Sequence, residues 1–129
     1  MVAGVNLDGN LTYLDGSLMP PVVSGLARPF LLIGKDGETD TGPGWDAFLD
    51  ATPGWARQLK LRGSEHASFT DAQVLLPQLD VGLGTLDPAT SVRTQRAFLA
   101  SATDRWLRGR DDHLLDGPSP RYPDVEFVR

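Results

Sequence analysis

The residues with the clearest capacity for chemistry lie in Gly63-Ser64-Glu65-His66-Ala67-Ser68-Phe69, which holds one of the chain's two histidines. A strand-like run precedes this stretch and a helix-like run follows it, so His66 falls on a strand-to-helix loop. An imidazole there is well placed to act as a general base. A base needs a nucleophile, and here the sequence is informative by omission. No serine stands in a G-x-S-x-G setting and there is no cysteine. Ser17, Ser24, Ser64 and Ser68 are the serines to consider, none in a nucleophile motif. The other histidine, His113, ends the charged stretch Gly109-Arg110-Asp111-Asp112-His113 and reads as solvated.

Three aspartates are candidate partners for the base. Asp8 precedes Gly9 and has an ordinary reading as a turn residue. Asp36 and Asp40 sit in the polar loop that follows the most apolar segment. Asp36-Gly37-Glu38-Thr39-Asp40 also has acidic oxygens at alternate positions. An EF-hand loop begun at Asp36 needs Gly at position 41 and Glu at 47, where this chain has Thr41 and Ala47, so a calcium loop is excluded. A zinc site built from His66, His113 and an Asp lacks any helical or hairpin ligand spacing. No metal or cofactor is expected.

The elements that must position these groups follow from periodicity and punctuation. Val2 to Leu7 is a partly β-branched strand closed by Asp8-Gly9-Asn10. A buried strand with nothing before it predicts that the sequence begins inside a larger domain. Residues 9–27 read as a loop-rich connection with one helical turn. Arg28-Pro29-Phe30-Leu31-Leu32-Ile33-Gly34 is a continuous apolar run, the pattern of a strand covered on both faces in a parallel sheet. A short helix starts at Trp45 and stops at Pro53-Gly54. Ala56 to Leu61 alternates and reads as a half-buried edge strand. Residues 69–83 read as one or two helices broken by Pro77, and Phe69 as packing beneath the His66 loop. Thr90 or Ser91 caps a helix through Arg108, with Gly109 as its stop. Trp45, Trp55 and Trp106 read as core or interface anchors. The division expected is a partial α/β domain over 1–109 and an extended surface tail over 110–129. Strands alternating with helices give about three parallel strands in a doubly wound sheet. Alone, such a sheet leaves apolar edges open.

At Gly4-Val5-Asn6-Leu7-Asp8-Gly9, at Arg28 to Gly34, and at Gly63 to Asp71, the chain resembles the C-terminal half of the platelet-activating-factor acetylhydrolase-like (type II) α/β-hydrolases, a group that includes bacterial lipases and esterases. The likeness covers nearly the whole chain. It implies an α/β-hydrolase fold from its sixth strand to its last helix, with the G-x-S-x-G elbow and oxyanion loop upstream. By this resemblance His66 is the triad base and Asp8 the acid. Asp36 (or Asp40) is the alternative acid, because many α/β-hydrolases place it one strand later. The implied activity is hydrolysis of short-chain or lipid esters, absent from this chain alone without its nucleophile half. The alternative is a non-catalytic, truncated or partner-completed interaction module.

Composition limits the other classes. The chain is 129 residues long, 40% hydrophobic, with 14 Gly and 10 Pro, suiting one turn-rich domain. Net charge is −5 and the twelve Lys and Arg are scattered, so a nucleic-acid role is not expected. No apolar run is long enough to span a bilayer, and the N-terminus lacks the pattern of a signal peptide. Self-association through the open sheet edge is expected.

Overall fold

The computed structural model describes residues 2–36, 43–75 and 82–129. Its centre is a four-stranded sheet in the order β1 (Gly4–Leu7), β2 (Phe30–Lys35), β3 (Ala56–Leu61) and β4 (Val125–Phe127). The first three strands run parallel, and β4 joins β3 antiparallel. The expected parallel core is present with one short strand added. β2 carries four consecutive buried residues, Leu31 to Gly34, which is why its sequence is continuously apolar.

Alternation along β2 sends its side chains to two cores. Leu31 and Ile33 join Leu59 and Leu61 of β3 against Phe98 and Ala102 of helix α4 (Pro88–Thr103). Leu32 faces the other way, toward Val22 of α1 (Pro20–Ser24) and Trp45, Phe48 and Leu49 of α2 (Pro43–Ala51). The i, i+3, i+4 spacing of Trp45, Phe48 and Leu49 is the apolar stripe that folds α2 onto the sheet. The Phe48 ring meets Phe30 edge-on at 5.0 Å.

Four expectations need correction. β3 is not an edge strand: β4 covers its outer side, with Leu61 opposite Val125 and Leu59 opposite Phe127. Residues 110–129 are not a surface tail, because Leu115, Tyr122 and Val125 lie in the α4 core. Arg105 draws this segment back by pairing with Asp116 at 2.7 Å and Asp111 at 3.4 Å. The α4 cap is Asp87, whose carboxylate accepts from the Thr90 N–H at 2.8 Å, with Pro88 opening the helix. The helix expected over 69–83 is a 3-10 turn at His66–Phe69 followed by α3 (Ala72–Leu75); Pro77 lies outside the described residues.

Truncating Leu115 tests whether the C-terminal segment belongs to the core. Urea unfolding of Leu115→Ala is expected to show a loss of about 2–5 kcal/mol, as for a buried leucine. A loss within about 0.5 kcal/mol, as for a surface residue, would return the segment to the status of a tail.

Candidate active site

Because β1, β2 and β3 are parallel, the loops leaving their carboxyl ends gather at one edge of the sheet. Asp8 follows β1, Asp36 follows β2, and His66 follows β3 by a short turn. Asp8 still belongs to the sheet ladder through its N–H, which donates to the Ile33 carbonyl at 2.8 Å. Its backbone then turns to φ +52°, a left-handed conformation that aspartate tolerates better than most residues. Asn6 closes this turn: its side-chain oxygen accepts from Gly9 N–H at 2.6 Å and its amide donates to Gly9 O at 3.0 Å. The Trp45 indole N–H donates to that same carbonyl at 2.9 Å, tying the turn to α2.

The Asp8 carboxylate is thereby buried and doubly engaged. One oxygen, Oδ1, accepts from the Lys35 backbone N–H at 3.0 Å. The other, Oδ2, lies 2.6 Å from Nδ1 of His66, 58 positions away in sequence. The contrast in exposure is large: the Asp8 side chain is 2% exposed and that of His66 is 72% exposed. A fixed carboxylate thus holds one ring nitrogen and leaves the far side of the imidazole open.

The loop that carries His66 is pinned from beneath. Asp36 Oδ2 accepts from Gly63 N–H at 2.6 Å. Gly63 O accepts from Thr85 and Leu86 N–H at 2.7 and 2.9 Å. That approach requires glycine at 84, where φ is +81° and a Cβ would sit 2.2 Å from Gly63 O. Ser68 Oγ accepts from Glu65 N–H at 3.0 Å and donates to Leu83 O at 2.7 Å. Lys35 and Glu65 pair across the loop ends at 3.5 Å. Phe69 packs against the α4 core beneath this turn.

The structure brings Asp8, not Asp36, to the imidazole of His66; Asp36 instead holds the loop backbone. Asp40 lies outside the described residues. The serines are engaged elsewhere. Ser64 and Ser68 are buried, with hydroxyls on Leu61 O and Leu83 O. Ser17 bonds Asp15, and Ser24 bonds Pro20 O. Among the described residues no serine hydroxyl is bonded to His66. His113 stands in a separate exposed cluster, 2.8 Å from Asp116 and 4.0 Å from Asp111. The hydrogen bond that the ring donates to Asp116, then the charge of Asp111, raise the His113 pKa above the usual histidine value. Sequence reasoning missed Lys35 N–H, Asn6 and Trp45 as the groups that orient Asp8. Asn6 two residues before Asp8-Gly9 was the one visible signal, as a turn-forming side chain.

Comparison with known proteins now bears on this geometry. No family model matches the chain. In fold, it matches the C-terminal part of an esterase of the α/β-hydrolase type. A ferulic acid esterase from Streptomyces cinnamoneus superposes with a TM-score of 0.81 at 31% identity, over 99% of this chain and 40% of that one. A probable 1-alkyl-2-acetylglycerophosphocholine esterase of Arthroderma benhamiae is 26% identical over 149 residues, covering 98% of this chain and 37% of that protein. The chain therefore spans about two-fifths of the length of the relatives it matches, and its resemblance to acetylhydrolase-like esterases holds over that part.

Two measurements follow. Nitrogen-15 spectra of the imidazoles should show His66 protonated at Nδ1, with Asp36→Asn preserving that tautomer and Asp8→Ala abolishing the preference; the reverse pattern would make Asp36 the partner. His113 should titrate above an unperturbed histidine and fall back in Asp116→Asn. Because its folded pKa is raised, its stabilising contribution is present at low pH and is lost as pH rises through that pKa.

Proposed function

We propose that this chain carries the acid and base of a serine carboxylic-ester hydrolase, Asp8 and His66, and works with a nucleophile contributed by polypeptide outside these 129 residues. The observation that supports this is the 2.6 Å contact between His66 Nδ1 and Asp8 Oδ2, made by a buried carboxylate whose other oxygen is already held by a backbone N–H. Asp8 keeps the proton on Nδ1, which leaves Nε2 as the acceptor. As a serine Oγ bonds to the ester carbonyl carbon, its proton passes to Nε2 and the carbonyl electrons move to oxygen. Collapse of the tetrahedral species breaks the bond to the leaving alcohol, which takes the proton from Nε2. Water then repeats the cycle on the acyl-enzyme, again through Nε2. The oxyanion donors belong to the same outside segment. Short acyl or lipid esters are the substrate class, in keeping with the esterase relatives.

The edge of the sheet supports a place for that segment. β1 ends the sheet, and its Val5, with Val2 just before it, remains exposed beside Trp106 and Leu107, around a groove of about 390 Å³. Asp8 leaves this edge strand and His66 reaches it across β2. The same edge supports the second reading, a non-catalytic module completed by a partner or by a second copy.

The test is hydrolysis of p-nitrophenyl acetate. The isolated chain is expected to show no turnover above His66→Ala. Fused behind a segment bearing a G-x-S-x-G elbow, it should turn over, and Asp8→Asn should lower kcat on the order of 10⁴-fold, as loss of the tautomer does in other triads. His66→Ala should be at least as damaging. His66-dependent turnover by the isolated chain would overturn the proposal, and fused activity indifferent to His66 would leave only the interaction module.

A further inference from the structure

A groove lies away from the Asp8–His66 pair, between α3 and the first turns of α4. It has a volume of about 750 Å³ and is lined by the apolar groups Val74, Pro88, Ala89 and Val92 together with Asp87, Arg93 and Arg96. This is within the range of about 300–1,000 Å³ typical of small-ligand pockets. A smaller hollow of about 170 Å³ shares Gln73, Val74, Val92 and Arg96 with it and extends to Phe69, Thr70 and Leu99. The shared residues set the two side by side as a trough along α4, whose lining joins apolar groups to Arg93 and Arg96 and to Asp87 and Asp71.

Three observations point to a ligand. Arg96 makes no ion pair among the described residues, and the guanidinium of Arg93 has only a 3.3 Å bond to the Thr90 hydroxyl. The acidic groups nearby are Asp87 and Asp71. Asp87 is engaged as the α4 cap, and Asp71 stands at the far end of the trough. Arg93 also lies within the electrostatic reach of Asp87, whereas Arg96 has no acidic partner among the described residues. Third, Gln73 walls both hollows, is 6% exposed, and its Oε1 has no hydrogen-bond donor. A buried amide oxygen without a donor is a standing cost, and turning that amide toward a donor in the trough removes it.

We infer that this trough binds a single-chain amphiphile whose head carries both an oxyanion and a hydroxyl donor, the chemistry of a long-chain alkyl phosphate monoester. The alkyl chain lies along Val74, Pro88, Ala89 and Val92. The phosphate oxygens meet Arg93 and Arg96, whose planar guanidinium groups suit phosphate. The P–OH donates to Gln73 Oε1. The ligand is a free amphiphile, because the trough is sized for one small molecule.

Calorimetric titration with monododecyl phosphate below its micelle concentration tests this, on the wild-type chain and on His66→Ala, which should bind alike. Saturable one-to-one binding is expected, weakened at least about tenfold by Arg93→Gln/Arg96→Gln. Laurate, an oxyanion without a donor, should bind more weakly than dodecyl phosphate, and Gln73→Leu should remove that difference. Dodecyl maltoside should not compete. Circular dichroism checks that each variant folds; the arginine pair is exposed, so its variant decides the matter even where Gln73→Leu unfolds. Equal binding of the maltoside, indifference to the double variant, binding only to phosphatidic acid vesicles, or no saturable binding would each overturn the inference.

Discussion

The Asp8 carboxylate is the interaction on which the rest of the site depends. It sits where β1 ends, is withdrawn from solvent, and divides its two oxygens between the Lys35 N–H of the neighbouring strand and the imidazole of His66. A buried carboxylate is tolerable only when its oxygens are bonded, so the same contacts that permit its burial also determine its direction. The bond to Lys35 removes its freedom to turn, and the bond to His66 transfers that rigidity to the ring. The positive φ at Asp8 and the Asn6 and Trp45 contacts to Gly9 keep the turn in the conformation this requires.

The parallel sheet converts that local constraint into a site. Parallel strands bring successive carboxyl ends to one edge, so residues 58 positions apart meet without a long loop between them. Two hydrophobic faces hold the strands in register: α2 from one side through Trp45 and Phe48, and α4 with the C-terminal segment from the other. The rigidity is directional. Asp8 is enclosed by these layers, while the imidazole stands at the open rim where another chain segment can approach.

Asp36 shows how a plausible acid can be given other work. Its carboxylate holds Gly63 N–H at the start of the His66 loop, and Gly63 O is in turn held by the backbone after Gly84. The loop is thus fixed from both sides before His66 is reached. Removing Asp36 would act through the position of the loop, and removing Asp8 through the state of the ring. The distinction is one of hydrogen-bond partner, not of distance along the chain.

Much of this was legible in the sequence wherever a local pattern carries its own physical reason. The apolar run at Phe30–Ile33 favoured a covered strand, Asp8-Gly9 a turn, and Gly63 to Phe69 a loop before a helical segment; together with the spacing of α4 they define an α/β chain with a histidine on a strand-to-helix loop. The order of motifs resembles an esterase, and the comparisons uphold that likeness over two-fifths of the relatives' length. What the tertiary structure alone decided depends on contacts between distant residues. That Asp8 faces the ring of His66 while Asp36 holds the Gly63 N–H is one such outcome. Val125–Phe127 became a strand because β3 offered an unpaired side, and three residues in a proline-rich segment have no periodicity to announce it. Arg105 folds the C-terminal segment onto the core through Asp111 and Asp116, partners that lie beyond its own helix. Local propensity determines elements, whereas which side chains share a hydrogen bond is settled only when those elements pack.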